Sequence, residues 1–365
     1  MTEVLASGCG VLVAERPAAV GQPSNTIRLA LVQSESRLGT ETEDPRDANM
    51  ERALEAISQA ADAGAQLVVF GEMYLSGYRT DEWLSKWATV INPPDRHVQL
   101  LMDAAREHGV HVIMGMGSFG SLMPGDVYNT ALLVGPEGLV GAYRKTHVAA
   151  FPYSEGISME RCFYSPGRDL PVFDTPLGRL GIHICYDITF PEVARVQALK
   201  GADLLINVAA TARGFEEMWE HTVFTRAIEN ATWYVVGSVV GNQRGDRLFG
   251  GSRVVDPAGR LVAAGKFDEE DFVIADIDLS RTREVSLFQR SQSRAVSRDS
   301  RTHAIPLSLR WRLFDPRPRA ALHSPAHAKA AAEGTGLCCS TAPSASSAAR
   351  CAAVMPVRPV MSTRS

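Results

Sequence analysis

With 365 residues, 45% of them hydrophobic, the chain can bury a large core, enough for one big α/β domain plus tails or for two ordinary domains. A formal net charge of -4 with both signs interspersed offers no basic stripe for nucleic acid and no polybasic patch for anionic lipid. No run of about 18 apolar residues argues for a membrane span. The expected partner is therefore a small molecule or another copy of the chain. Six cysteines without the spacing of a zinc site or a disulfide scaffold point to a reducing cytoplasm, where a thiol stays reduced.

Residues 1–25 lack sustained periodicity and read as a disordered extension. Leu5 to Cys9 superficially suggests a lipoprotein cleavage site, but Glu3 stands in place of a basic region and no apolar segment precedes the cysteine. The folded domain is expected over 26–290. Ile27 to Gln33 alternates as a first strand would, Asp47 or Asn49 offers an N-cap, and a helix runs to about Ala63 with Met50, Leu54, Ile57 and Ala61 at helical spacing. Gly64 stops it, and Leu67 to Phe70 reads as a buried strand with Glu72 just past its end.

A helix from about Val98 to His108, a Gly109 stop and a strand from Val110 to Met116 repeat the pattern. A hairpin follows, Tyr128 to Val134 and Leu139 to Tyr143, turning at Gly135-Pro136-Glu137-Gly138 and leaving Lys145 at its exit. Strand Leu180 to Ile184 runs into Cys185-Tyr186-Asp187, and Pro191 opens a helix whose Val193, Val196 and Leu199 share a face. Gly201 closes that helix. Strand Leu204 to Val208, a helix from about Glu217 to Asn230, strand Trp233 to Val240, a hairpin at Asp256-Pro257-Ala258-Gly259 and a last strand Phe272 to Ile277 complete the series. The alternation with inserted hairpins favours a layered α/β fold over a barrel. Residues 291–365, rich in Ala, Ser, Pro and Arg toward the end, are expected to form an irregular, largely disordered tail.

Glu72, Lys145 and Cys185 all fall at ends of expected core strands, where open α/β sheets gather their sites. A thiol on a tight strand-to-helix turn is exposed for attack, and the Tyr186 N–H that follows can point at an oxyanion. A thiol of ordinary pKa, about 8.5, needs a base. Glu72 can take its proton and return it to a leaving amine, while Lys145 stabilises the tetrahedral oxyanion. Taken singly, a buried Cys is more often a small hydrophobe and a Lys more often solvated. Their joint placement favours chemistry.

The segments VVFGEMYLSGY (68–78), YRKTHV (143–148) and GIHICYDITFPEVAR (181–195) closely resemble the three catalytic motifs of the carbon-nitrogen hydrolase, or nitrilase, superfamily. The likeness continues through VYNTALLVGPEGLVGAY, TRAIEN and GGSRVVDPAGRLVA and covers about Ile27 to Leu279. It implies an α/β fold of the four-layer αββα sandwich type, a Glu72-Lys145-Cys185 triad, a thioester acyl-enzyme, and neither cofactor nor metal. It also implies that Glu160, in MERCFYSPG, positions the lysine and substrate, with nearby Glu155 and a plain surface role as the competing readings. Tyr186, Arg213 and Trp219 are the substrate-binding candidates; Arg213 suits a substrate carboxylate, though an exposed arginine is as ready a reading.

Cys162 reads as core filler, and His147 and His183 as satisfied structural histidines. The chain departs from the family pattern at Ser238, where many members carry Asn, and over 286–300, where the usual Arg-Arg-Pro segment is missing. That region often builds the dimer interface, so assembly as a homodimer or larger homo-oligomer is expected to be weakened if the C-terminus is altered.

Tyr186-Asp187 after the cysteine resembles the amidase and carbamoylase branches. Hydrolysis of a small-molecule amide to a carboxylic acid and ammonia is therefore expected. An N-carbamoyl amidohydrolase acting on a ureido substrate comes next, then a nitrilase, and then a non-catalytic small-molecule-binding protein on the same fold.

Overall fold

Side-chain alternation decides which way each strand faces. In the computed structural model, which describes residues 26–81, 83–120, 125–150, 157–243 and 245–285, the first strand β1 (Thr26–Gln33) sends Leu29 and Leu31 to one face and Ala30 and Val32 to the other, and all four are buried. A strand buried on both faces must lie between two layers. The helices α1 (Pro45–Asp62) and α2 (Arg96–His108) supply the outer one, setting Met50, Ala53, Ile57 and Val98, Leu101, Ala105 against β1, β2 (Leu67–Phe70) and β3 (His111–Phe119). The inner face meets a second sheet.

The first sheet is completed by the hairpin β4 (Val127–Gly135) and β5 (Gly138–Arg144). The second contains β6 (Val172–Thr175), β7 (Gly178–Ile184), β8 (Leu204–Ala209) and β9 (Trp233–Ser238), with α3 (Pro191–Leu199) and α4 (Glu216–Asn230) packed outside. A small separate ladder pairs β10 (Val240–Gln243) with β11 (Asp246–Phe249). Next, β12 (Arg253–Val255) and β13 (Leu261–Ala264) extend the second sheet, and β14 (Asp271–Asp278) returns to pair with β1. The orders are β14-β1-β2-β3-β4-β5 and β13-β12-β9-β8-β7-β6, parallel at each centre and antiparallel toward the edges. This is the four-layer αββα sandwich.

The seam between the sheets is apolar. Leu29, Leu31, Leu67, Val69 and Ile113 face Ile182, Ile184, Ile206, Val208 and Val235 there. On the outer side of the second sheet, Trp219, Val223 and Ala227, spaced by one helical turn each, cover Leu205, Tyr234 and Val236. The C-terminal ends of the parallel strands β2 and β7 lead directly into Glu72 and Cys185.

Several local expectations are corrected. Helix α1 starts earlier than Asp47 or Asn49, because Asp44 accepts the Arg46 N–H and Pro45 occupies the first turn. Asp47 instead pairs with His97, and Asn49 turns inward to bond Arg37 and Leu75. Leu199 is 70% exposed, and the buried face of α3 is Val193, Ala194 and Gln197. Strand 233–240 is interrupted at Val239, whose N–H bonds the Ala209 carbonyl. Residues 1–25, Glu155 and 286–365 lie outside the described residues, and with them the expectations about extension, tail and dimer segment.

Candidate active site

Glu72 sits on a backbone turn that only small neighbours permit. A Cβ at Gly115 would lie 2.4 Å from the Gly71 carbonyl oxygen and 2.6 Å from Glu72 Cα, and a Cβ at Gly71 would lie 2.5 Å from the Val239 nitrogen. The Glu72 N–H reaches across the seam to the Ala209 carbonyl at 3.2 Å. These close approaches aim the carboxylate into the site with its side chain buried.

Lys145 follows β5, and its own N–H bonds the Asn129 carbonyl at 2.8 Å, which continues the β4–β5 ladder and fixes the base of the side chain. Its ammonium, also buried, donates to Glu72 Oε1 and to Glu160 Oε2, each at 2.7 Å. Glu160 comes from a 3-10 turn (Ile157–Cys162) and also accepts the Ala149 N–H at 2.7 Å. Asn129 Nδ2 donates to Glu72 Oε1 and Glu160 Oε1, both at 2.7 Å, so one amide bridges the two carboxylates. The Tyr78 hydroxyl adds a longer contact to Glu72 Oε1, 3.4 Å. Among the described residues Glu72 Oε2 has no hydrogen-bond partner.

The electrostatics follow from burial. Removal from water pushes the Glu72 carboxyl up, the Lys145 charge opposes this and the Glu160 charge adds to it, leaving Glu72 at about 7. Burial alone would pull the Lys145 ammonium down, but Glu160 and Glu72 outweigh it and hold it above the ordinary lysine range. Lys145 therefore stays charged at neutral pH.

Cys185 follows β7 with φ at +40°, an unusual value for a residue with a Cβ, and opens a 3-10 turn (Cys185–Thr189) that leads into α3. This is the geometry of a nucleophile elbow. The residue is half-buried, with Sγ 3.9 Å from the Ala210 carbonyl and 4.0 Å from Thr211 Oγ1. Burial pushes its thiol up, the Glu72 charge adds to this, and Lys145 offsets only part. The resting sulfur is thus a thiol within the field of both charged partners.

The structure brings Glu72, Lys145 and Glu160 into one bonded cluster, with Cys185 electrostatically coupled to it. Tyr186 lies beside it on the 3-10 turn, edge-on to Phe190. Among the described residues neither Arg213 nor Trp219 hydrogen-bonds to that cluster. Arg213 is held by ion pairs to Asp268 and Glu216. Trp219 is 2% exposed, packed edge-on to Phe249 beneath α4, because its position in the helix repeat faces the sheet. Cys162 is exposed rather than core filler, since the turn that sends Glu160 inward faces it outward. His183 is satisfied on both nitrogens, by Gln197 and Tyr234, and burial lowers it to about 4. His147 bonds Asp187 and stacks on Phe190. Ser238 donates its N–H to Ser252 Oγ at 3.1 Å.

Sequence reasoning passed over Asn129 and used Asp187 only as part of the Tyr186-Asp187 resemblance to the amidase and carbamoylase branches. A signal existed for the first, an amide in a strand that is otherwise apolar but for Tyr128 and Thr130 beside it. No signal in the sequence marked the contacts of Asp187 with the 143–147 segment.

The carbon-nitrogen hydrolase family model matches residues 28–286. The chain belongs to this family. Curated relatives include a nitrilase of Pyrococcus abyssi, 36% identical over 65% of this chain and 86% of that protein. Another is the omega-amidase NIT2 of Bos taurus, 33% identical over 71% of this chain and 91% of that one. Among solved structures, Nit3 of Saccharomyces cerevisiae superposes with a TM-score of 0.63 at 28% identity, covering 73% of this chain and 94% of Nit3. This hydrolase acts on carbon-nitrogen bonds other than those of peptides. None of its described helices is long and apolar enough to cross a membrane.

Proposed function

We propose that this hydrolase cleaves a small-molecule amide through a thioester on Cys185, releasing ammonia and then a carboxylic acid. The observation that carries this reading is the sharing of the Lys145 ammonium between Glu72 and Glu160, both at 2.7 Å, in a cluster whose charges reach Cys185. Glu72, poised at about 7, accepts the thiol proton as sulfur attacks the carbonyl carbon, and Oε2 is the oxygen assigned to it. The carbonyl π electrons move to oxygen, giving a tetrahedral oxyanion.

An ammonium has three donors, and two of those on Lys145 are committed, so the third is assigned to the oxyanion together with the Tyr186 N–H. Collapse expels the amine, which takes the proton from Glu72. Water, deprotonated by the same carboxylate, then attacks the thioester, and collapse breaks the carbon-sulfur bond, freeing the acid while the Cys185 sulfur takes the proton back from Glu72. Glu160 keeps Lys145 charged and aimed throughout. The raised thiol argues for proton transfer coupled to attack rather than a standing thiolate.

Nitrile hydrolysis is the second reading, favoured by the name of the archaeal relative. Product analysis on an amide, a ureido compound and a nitrile separates the options. Ammonia and acid from the amide support the proposal; turnover confined to the nitrile overturns it. A cytoplasmic location and a homodimeric or larger assembly belong to the same proposal, the latter checked by light scattering.

A further inference from the structure

The groups assigned above belong to two different sheets. Glu72 and Lys145 follow β2 and β5 of the first, and Cys185 follows β7 of the second. Apolar packing across the seam is strong but non-directional, so it does not by itself set where sulfur lies relative to the ammonium. Directional bonds across the seam do.

Asp187 supplies most of them at the site end. It is fully buried. Its Oδ2 accepts the Tyr143 hydroxyl at 2.7 Å and the Ile184 N–H at 3.0 Å. Its Oδ1 accepts the Thr146 hydroxyl and the His147 N–H, each at 3.0 Å, and pairs with His147 Nδ1 at 2.9 Å. Only the Ile184 N–H belongs to the cysteine's own turn. Every other donor lies on 143–147, the segment that carries Lys145. A carboxylate that merely capped the turn would need the Ile184 bond alone.

We propose that Asp187 is a positioning residue whose carboxylate locks the Cys185 turn onto the 143–147 segment and so sets the approach of the sulfur to Lys145. The carboxylate stays ionised: burial pushes it up, but the bonds from His147 and Tyr143 and the charge of Lys145 outweigh burial and hold it below the ordinary carboxylate range. Ionised acceptors make roughly twice the bond of neutral ones. The ring of His147, stacked 3.8 Å from that of Phe190, closes the outer side of the lock.

The proposal rests on Cys185 being the nucleophile, and the test separates the two ideas. Folded protein is treated with iodoacetamide, and peptide mass spectrometry follows alkylation of Cys185 against that of exposed Cys162 in the same molecules. Asp187→Asn keeps the shape but places donors where acceptors are needed. It is expected to slow Cys185 relative to Cys162 by about tenfold or more, and to lower amide kcat by up to about a hundredfold with KM within about twofold, as an ångström-scale misplacement does. A folded Asp187→Asn protein with an unchanged Cys185 to Cys162 ratio overturns the lock.

Glu72→Gln serves as the control for the reading beneath it. If that change leaves Cys185 alkylation untouched, the activation of Cys185 fails whatever Asp187 does. Should Asp187→Asn not fold, Tyr143→Phe removes one donor alone; a drop of about threefold or more in the same ratio supports the lock, and an unchanged ratio overturns it.

Discussion

The two sides of the site are built on opposite principles. On the first sheet, Glu72, Lys145, Glu160 and Asn129 form a buried, mutually bonded charge cluster in which, among the described residues, Glu72 Oε2 and Asn129 Oδ1 have no partner. On the second, Cys185 sits half-buried on a turn held in left-handed backbone, with only long contacts to its sulfur. The contrast teaches where each property comes from. Charges gain strength from being dry and fixed, whereas a nucleophile has to remain reachable by the substrate.

The contrast is broken most severely by removing the reachable side. Cys185→Ala is expected to cost at least about four orders of magnitude in turnover while leaving the melting temperature near that of the parent, measured by steady-state kinetics and thermal denaturation. Removing the base comes next. Glu72→Gln should lower kcat/KM by about a thousandfold.

The pH profile sharpens the same point. Attack needs ionised Glu72, and burial places its carboxyl at about 7, so kcat/KM should fall as pH drops through about 7 and level off above it. That limb should vanish in the residual activity of Glu72→Gln.

Lys145→Met tests the sealed side twice over. Losing an oxyanion donor should slow acylation by about a hundredfold, and leaving two carboxylates buried without their cation should destabilise the fold by about 3–5 kcal/mol. Urea unfolding and single-turnover kinetics read the two effects separately. A loss of affinity alone, with acylation unaffected, would contradict the role given to the lysine.

Gly115→Ala perturbs geometry without touching a charge. Its new methyl meets the Gly71 oxygen and Glu72 Cα, so it should cost about 1–3 kcal/mol of stability and displace the base. Smallest of all should be Arg213→Ala. Its guanidinium is already paired with Asp268 and Glu216 at the surface, and the change should alter KM less than about twofold.

Much of the architecture was legible because it rests on local rules. The parallel strands at 67–70, 180–184 and 204–208 were visible as short apolar runs, and Gly64 and Gly109 marked real helix ends with φ of +80° and +66°. The omissions share a cause. Val172–Thr175 carries too little burial to announce a strand. Gln197 looks like a surface residue until His183 and the Ile182 carbonyl claim its amide. Trp219 was a candidate by its place in the chain, and that place does not show that its ring packs edge-on against Phe249.

From the order of residues alone came the repeating strand-helix pattern, the strand-end positions of Glu72, Lys145 and Cys185, and the family resemblance, since these depend on backbone propensities and short motifs. Only the folded chain decided that Asn129 bridges two carboxylates, that Asp187 spans the seam, and that Arg213 is already paired. Those are contacts between residues up to 57 positions apart, and no local signal encodes which side chain will stand opposite another once two sheets have closed face to face.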